Sequence, residues 1–258
     1  MKTIRTVAEM RVARPDDVAV GLVPTMGALH AAHVSLFEAA RAENNFVVAS
    51  LFVNRTQFTP SEDFAEYPRD EERDARVAED AGVDVLFAPG EDELYPGGFQ
   101  TWVDVEELSR PLEGAFRPGH FRGVATICLK LFNIVRPRRA YFGQKDAQQI
   151  AVLRRMIRDL DLDLELRALP TVRDPDGLAV SSRNVYLSPD ERERALTLPR
   201  ALATRDATRA RELLASVPGL ATDYVDVLDA DGLRVLAGAI RTGSTRLIDN
   251  VPLEGDDR

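Results

Sequence analysis

The feature that most restricts the fold is a nearly continuous apolar run from Val18 to Val23. Pro24 and Gly27 follow the run and break it. The run is typical of a buried strand, and proline and glycine predict a turn after it. From Ala32 the chain reads Ala-His-Val-Ser-Leu-Phe-Glu-Ala-Ala-Arg, which is a helix pattern. This order of strand, turn and helix predicts an α/β sheet that presents a phosphate site at its carboxyl edge.

The same alternation of strands and helices continues along the chain. Strands are predicted at 18–23, 45–53, 83–88, 139–142 and 162–169, with a short one around 101–105. Helices are predicted at 69–81, 124–135 and 147–160. This rhythm predicts an α/β fold with a Rossmann-like, doubly wound parallel sheet and right-handed crossovers.

A turn-rich, polar stretch at 170–184 divides the chain. We predict one domain over residues 1–172 and a second, smaller domain over residues 173–258. Ser188-Pro189 marks a helix start in the second part, followed by segments rich in alanine and arginine and by two short strand patterns at 224–228 and 245–248. These patterns predict a small α+β unit that is too short for a second nucleotide fold.

Composition excludes several classes of protein. The formal net charge is −9, which argues against a general nucleic-acid binder. Cys128 is the only cysteine, so an internal disulfide is excluded, and its apolar surroundings predict a buried, inert thiol. The sequence shows no signal peptide and no apolar run near the ~18 residues of a membrane span. We therefore expect a cytoplasmic protein.

Two histidines, His30 and His33, stand three residues apart at the predicted helix start. At this spacing they share one helix face, where the helix N-terminus favours an anion. A metal pair is a second interpretation, but a zinc site needs more ligands, and the only other histidine is His120. We therefore predict no protein-held metal. A third interpretation is that the two histidines are simply polar residues at the start of a helix.

Two further loops carry groups that could act with these histidines: Gly-Gln-Lys-Asp at 143–146 and Ser-Ser-Arg at 181–183. Each alone could be an ordinary turn or a solvated loop. Together with the histidines, they supply what adenylation needs. Lys145 and Arg183 can neutralise a triphosphate, and Ser181 and Ser182 can hold its oxygens. Asp146 can accept hydrogen bonds from ribose hydroxyls.

The motif His-Ala-Ala-His resembles the His-x-Gly-His signature of nucleotidyltransferases and class I aminoacyl-tRNA synthetases. The longer string at 24–33 resembles the pantothenate synthetase (pantoate–β-alanine ligase) family more specifically. Four more blocks resemble that family in the same order, and so does the end of the chain; they lie at 52–58, 117–124, 141–149, 177–184 and 246–250. An ordered set of motifs is much more specific than one histidine motif.

The resemblance implies a two-step reaction on a nucleotidyltransferase-type sheet. Pantoate and ATP form pantoyl adenylate and pyrophosphate, and β-alanine then attacks to give pantothenate and AMP. It also implies that ATP is a substrate used with Mg²⁺, that no organic cofactor is tightly bound, and that the C-terminal domain is a lid. A homodimer formed through the N-terminal domain is implied as well, with no nucleic-acid or membrane partner.

The same resemblance implies roles for individual residues. His33 occupies the family's proton-donor position, and His30 and Lys145 accompany it as catalytic residues. The residues implied in ATP binding are Met26, Gly27, Ala28, Leu29, His30, Ala31, Ala32, His33, Gly143, Gln144, Lys145, Asp146, Val172, Val180, Ser181, Ser182 and Arg183. Pantoate is expected on Gln57 and Gln149, supported by Asn54, with β-alanine near Gln57.

The sequence departs from the family pattern at two positions. Ala32 replaces a glycine that lets adenine lie against the backbone, and Arg55 replaces a proline and adds a cation near the acid-substrate pocket. Two alternatives stay open on these grounds. The chain could be a paralogous adenylate-forming ligase or nucleotidyltransferase that acts on a different carboxylic acid, or a nucleotide-binding module without catalysis.

Overall fold

The structure is a computed structural model that describes residues 1–59 and 64–253. Residues 60–63 and 254–258, which belong to the two predicted domains, lie outside the described residues. The strands are β1 (Lys2–Ile4), β2 (Val20–Thr25), β3 (Phe46–Leu51), β4 (Val85–Phe87), β5 (Arg139–Gly143), β6 (Glu165–Leu169), β7 (Leu220–Ala230), β8 (Leu233–Thr242) and β9 (Thr245–Pro252).

The helices lie between these strands. They are α1 (Val7–Ala13), α2 (Ala31–Glu43), α3 (Glu71–Asp80), α4 (Glu91–Leu94), α5 (Glu113–Phe116), α6 (His120–Val135), α7 (Ala147–Asp159), α8 (Pro189–Ala195), α9 (Thr197–Leu202) and α10 (Ala207–Ala215). Short 3-10 helices cover Arg55–Gln57, Gln144–Asp146 and Ser182–Tyr186. Ser188 caps α8 as predicted, because its side chain accepts the N–H of Glu191.

Six parallel strands form the main sheet in the order β1-β4-β3-β2-β5-β6. The chain runs from β2 outward through β3 and β4, and then returns to place β5 on the other side of β2. The carboxyl ends of β2 and β5 therefore form the switch point at which sheets of this kind bind ligands. The predicted Rossmann-like parallel sheet is confirmed.

Successive residues of the central strands enter two different cores. Leu22 and Val48 pack with residues of α6 and α7, whereas Val23 and Ala49 pack with residues of α2. All four are fully buried. Because helices cover both faces of the sheet, its strands are apolar at nearly every position rather than at alternate ones.

The C-terminal part is a three-stranded antiparallel sheet, β7-β8-β9, packed against α8, α9 and α10. The predicted α+β character is confirmed, but the prediction of two strands is wrong because it omits β8. Leu236 and Ile240 of β8 face the helices, while Val235 and Ala237 pack against α7. A strand buried on both faces has no polar alternation, and the alanines and glycine at 237–239 have low strand propensity.

The structure differs from the predictions at three other places. The predicted strand around 101–105 is wrong, because that segment is irregular; the Val103 N–H donates to Thr126 Oγ1 at 3.0 Å instead of to a neighbouring strand. The first strand and helix, β1 and α1, were not predicted. In addition, α6 begins at His120, four residues before the predicted start.

A buried ionic cluster centred on Glu113 joins α5 to the C-terminal sheet, because Tyr224 lies in β7 and Arg246 in β9. Arg246 donates to both of its carboxylate oxygens at 2.6 and 2.8 Å, and the Tyr224 hydroxyl donates at 2.9 Å. Burial acts to raise the pKa of Glu113, but the hydrogen bonds and charge of Arg246 outweigh it and lower that pKa. The two parts of the chain thus meet through a buried ion pair. Asp223 extends it, since it accepts from Arg246 Nε at 2.7 Å.

Candidate active site

One cleft receives the segments that follow β2, β3, β5 and β6 at the carboxyl edge of the main sheet. Residues 180–183 approach it from the chain that follows β6. The predicted site residues that line this cleft are Met26, His30, Ala32, His33, Asn54, Gln57, Gly143, Lys145, Asp146, Gln149, Val172, Val180, Ser181, Ser182 and Arg183. The three loops singled out in the sequence therefore converge on one space.

Five residues of the predicted ATP site do not line the cleft: Gly27, Ala28, Leu29, Ala31 and Gln144. Leu29 is buried in the core between the sheet and α2, and the backbone oxygen of Gln144 accepts from Asn250 Nδ2 at 2.8 Å. Their assignment to ATP binding stays a prediction.

The two histidines form a contact pair at the start of α2. Their ring centroids are 4.1 Å apart. The backbone N–H of His30 donates to His33 Nδ1 at 3.2 Å. Because Nδ1 accepts this hydrogen bond, a neutral His33 must carry its proton on Nε2. The contact therefore selects the tautomer that can donate from Nε2.

Both imidazoles resist protonation. Burial is the main cause that lowers the pKa of His33 to about 3, and the charges of His30 and Lys145 act in the same direction. Burial also lowers the pKa of His30 to about 4, with a further contribution from Lys145 and a partial offset from Asp146. At neutral pH each ring is thus an uncharged hydrogen-bond donor.

We expect the free energy of unfolding to fall as the pH drops from about 6.5 towards 4. Unfolded histidine has a pKa near 6.5, whereas the pKa values of folded His30 and His33 are about 4 and 3. The unfolded state therefore binds more protons in this window, so this stability is fully present above pH 6.5 and lost below it. Urea unfolding between pH 4 and 8 should show a shallower pH slope for His33→Gln; equal slopes would contradict the low pKa.

The loop after β5 brings a cation and a carboxylate to the cleft. Lys145 and Asp146 both line it, and Asp146 is the only carboxylate among the described lining residues. Asn250 of β9 fixes the loop, since its Nδ2 donates to the backbone oxygens of Gln144 and Lys145 at 2.8 and 3.0 Å. No group of three or more His, Cys, Asp or Glu side chains that could hold a metal occurs in residues 1–59 and 64–253.

The opposite part of the cleft is built on the segment after β3. Asn54 is buried, and its Nδ2 donates to Gln57 Oε1 at 3.0 Å and to the Gly123 oxygen at 3.2 Å. Gln57 Nε2 contacts Met26 Sδ at 2.9 Å. A Cβ at Gly123 would lie 2.4 Å from the Thr56 oxygen, so glycine is required for α6 to approach this segment.

Sequence reasoning gave no role to several residues of this region. Arg117 and His120 line the cleft, and His120 Nδ1 lies 2.8 Å from the Gln57 oxygen. Both residues belong to the Arg-Pro-Gly-His string within the block at 117–124. The resemblance of this block to the family is the sequence signal that could have identified them. Cys128 forms part of the apolar wall. It is buried, which confirms the predicted buried thiol, and burial raises its pKa to about 12.

The two departures from the family pattern lie in different environments. Ala32 lines the cleft near the start of α2. Arg55 does not line it; its exposed guanidinium lies 5.7 Å from the Phe64 ring centroid. The guanidinium of Arg55 therefore does not lie in the predicted position beside the acid-substrate pocket.

We expect Arg55→Pro to leave the rate of the enzyme within about twofold of wild type. Arg55 is the first residue of a 3-10 helix, where an N–H has no intrahelical partner and proline fits. Steady-state kinetics with varied acid substrate would measure the effect. A change in KM for the acid of tenfold or more would contradict the outward placement of Arg55.

An open parallel sheet with a polar cleft at its switch point defines an α/β protein of the Rossmann-like, nucleotide-binding class. Residues 1–252 match the family model described as Pantoate-beta-alanine ligase. A pantothenate synthetase from Geobacter sulfurreducens is 51% identical over 98% of this chain and 99% of the relative. The chain belongs to the pantoate–β-alanine ligase family.

Solved structures agree with this membership. The crystal structure of pantothenate synthetase from Thermus thermophilus is 48% identical and has a TM-score of 0.93, covering 99% of this chain and 100% of that one. The pantoate-β-alanine ligase from Francisella tularensis, complexed with beta-gamma ATP and β-alanine, is 32% identical with a TM-score of 0.85, covering 99% and 98%.

Proposed function

We propose that this chain condenses pantoate with β-alanine in an ATP-dependent reaction that passes through pantoyl adenylate and releases pyrophosphate and AMP. The observation that carries the proposal is the convergence of the histidine pair, the Lys145 loop and the loop ending in Arg183 on one cleft. Family membership supports the same activity. The reaction needs positioning and charge stabilisation more than a covalent nucleophile.

In the first step, a carboxylate oxygen of pantoate attacks the α-phosphorus of ATP, and the bond from that phosphorus to pyrophosphate breaks. Negative charge on the phosphate oxygens must be balanced as this bond is lost. Lys145 and Arg183 supply positive charge, Ser181 and Ser182 supply hydroxyl donors, and neutral His33 donates from Nε2. Asp146 is suited to accept from the ribose hydroxyls.

In the second step, the neutral amine of β-alanine attacks the acyl carbon, and AMP leaves with the oxygen that joined the two groups. The nitrogen loses one proton to solvent as the amide forms. Gln57 and Gln149 can hold the polar groups of pantoate, and Gln57 also lies where β-alanine is expected. Asn54 keeps Gln57 in position through its 3.0 Å hydrogen bond. The apolar wall contributed by α6, at Val124, Ile127, Cys128 and Leu131, limits the entry of water that would hydrolyse the adenylate.

Mg²⁺ is proposed to enter as part of the ATP substrate. Mg²⁺ is usually held by substrate phosphates, waters and one or two carboxylates rather than by a protein cage. Asp146 as the one carboxylate among the described lining residues fits such a substrate-borne ion better than a resident metal.

Three further proposals follow from family resemblance. Residues 173–258 act as a lid on an ATP- and pantoate-binding domain at 1–172. The hydrogen bonds from Asn250 to the Lys145 loop support this role.

The protein is a homodimer, which a measurement of its mass in solution would test. It works in the cytoplasm; within the described part of the chain, no helix has the length and apolarity to cross a membrane.

Pyrophosphate release with ATP and pantoate, with and without β-alanine, tests the proposal. We expect AMP and pyrophosphate in equal amounts, with steady turnover only when β-alanine is present. ADP as the product would reject the mechanism. Turnover with another acid in a panel, but not with pantoate, would instead identify a paralogous adenylate-forming ligase, and tight ATP binding without pyrophosphate release would identify a non-catalytic module.

A further inference from the structure

We propose that Asp74 is a positioning residue for the histidine pair, and that its carboxylate fixes His33 as the Nε2–H tautomer through the backbone of the loop between β2 and α2. The effect on rate rests on the proposed function. The effect on the tautomer does not, so the two can fail separately.

Asp74 lies in the first turn of α3, on a crossover far along the chain from the histidines, and is 1% exposed. Its Oδ2 accepts the backbone N–H of Ala28 at 2.8 Å, and its Oδ1 accepts that of Leu29 at 2.8 Å. Each carboxylate oxygen thus takes one N–H from the loop that precedes His30.

These hydrogen bonds lead directly to His33. The N–H groups of Ala28 and Leu29 point to Asp74, and the next N–H along the chain, that of His30, points to His33 Nδ1. The orientation of the first two peptide groups therefore sets the third, which in turn selects the tautomer of His33.

The loop adopts a conformation that needs such support. Gly27 and Ala28 have φ values of +87° and +52°, and the left-handed region is unfavourable for alanine. A residue held in this region persists where its surroundings fix it. A Cβ at Gly27 would lie 2.9 Å from Asp74 Oδ2, so glycine also allows the carboxylate to come close.

A carboxylate suits this place better than an amide. It offers an acceptor oxygen to each of the two N–H groups, whereas asparagine offers one oxygen and places NH₂ donors against the other N–H. Asp74→Asn should therefore release one of the two peptide groups without changing the size of the side chain.

The test combines kinetics with ¹⁵N NMR of histidine-labelled protein, in which only His30, His33 and His120 contribute signals. In the wild type we expect His33 to be the Nε2–H tautomer. In Asp74→Asn we expect a mixture with the Nδ1–H form and a kcat about 10–100-fold lower, the same range as for losing the partner that orients a metal-binding histidine. KM for β-alanine should stay within about threefold.

Asp70→Asn is the matched control, because it makes the same charge change on the same helix. Asp70 caps α3 by accepting the Arg73 N–H at 3.0 Å, and asparagine caps equally well. It should keep the wild-type tautomer and rate. The proposal is overturned if Asp74→Asn retains the wild-type His33 signals, or if Asp70→Asn loses as much activity. An Nδ1–H tautomer in the wild type overturns it even if Asp74→Asn does not fold.

Discussion

Lys145→Met is expected to lower kcat/KM for ATP in pyrophosphate release by about 10²–10³-fold, the range seen when one preorganised group that stabilises transition-state charge is removed. Lys145 is one of three lysines in the chain, and it lines the cleft beside the histidines. Its charge reaches both rings, since it lowers the pKa of His30 and of His33. Methionine keeps a similar length and removes the charge.

Lys130→Met is the matched control for this experiment. Lys130 lies outside the cleft, with its ammonium 4.9 Å from the Phe99 ring centroid, so its loss should leave kcat/KM near the wild-type value. Lys145→Arg should recover part of the activity, because arginine keeps the charge but not the compact ammonium geometry. Equal rates for Lys145→Met and the wild type would remove Lys145 from the mechanism.

The main sheet could be predicted because its signals are local. Strands buried on both faces are continuous apolar runs, and glycine, proline and polar clusters follow them. Even in this sheet, the residue at which a strand ends depends on tertiary structure. Pro24 was expected to end the first strand, yet β2 continues through it to Thr25, where Pro24 is paired in register with Ser50. The β5 strand pairs with β2 only at Gly21 and Leu22, so at Pro24 the strand is paired on one side only. Proline is tolerated in such an edge position.

The residues of the site that could not be predicted are those whose role depends on tertiary packing. Asp74 stands in a highly charged helix, Glu71–Asp80, where a single carboxylate cannot be told apart from a solvated face. Only the fold brings it beneath the loop that holds His30. The same holds for β8, which lies between helices of both parts of the chain and therefore lacks the alternation that identifies a strand.

The chemical state of the histidines was also not predictable from spacing. A pair at a helix start could bind a metal, an anion or nothing. Burial beside Lys145 keeps both rings neutral, and the His30 N–H directs the His33 proton to Nε2. His33, which the family resemblance predicts as a proton donor, is thus suited to donating a hydrogen bond without releasing its proton.

His33→Ala is expected to lower the rate of adenylate formation by about 10²–10³-fold, because it removes a donor aimed at charge that develops in the transition state. His33→Gln should retain more activity than His33→Ala, since its amide N–H can still donate without carrying charge. The kcat/KM of the wild type should show no inflection from His33 between pH 5 and 9, because kcat/KM reports groups of the free enzyme, in which the pKa of His33 is about 3. Rapid-quench measurement of pyrophosphate in the first turnover isolates this step, and urea midpoints at pH 8 check that both variants fold. If His33→Gln were as inactive as His33→Ala while folding normally, and the wild-type rate fell with a pKa near 6.5, His33 would have to transfer a proton rather than donate a hydrogen bond.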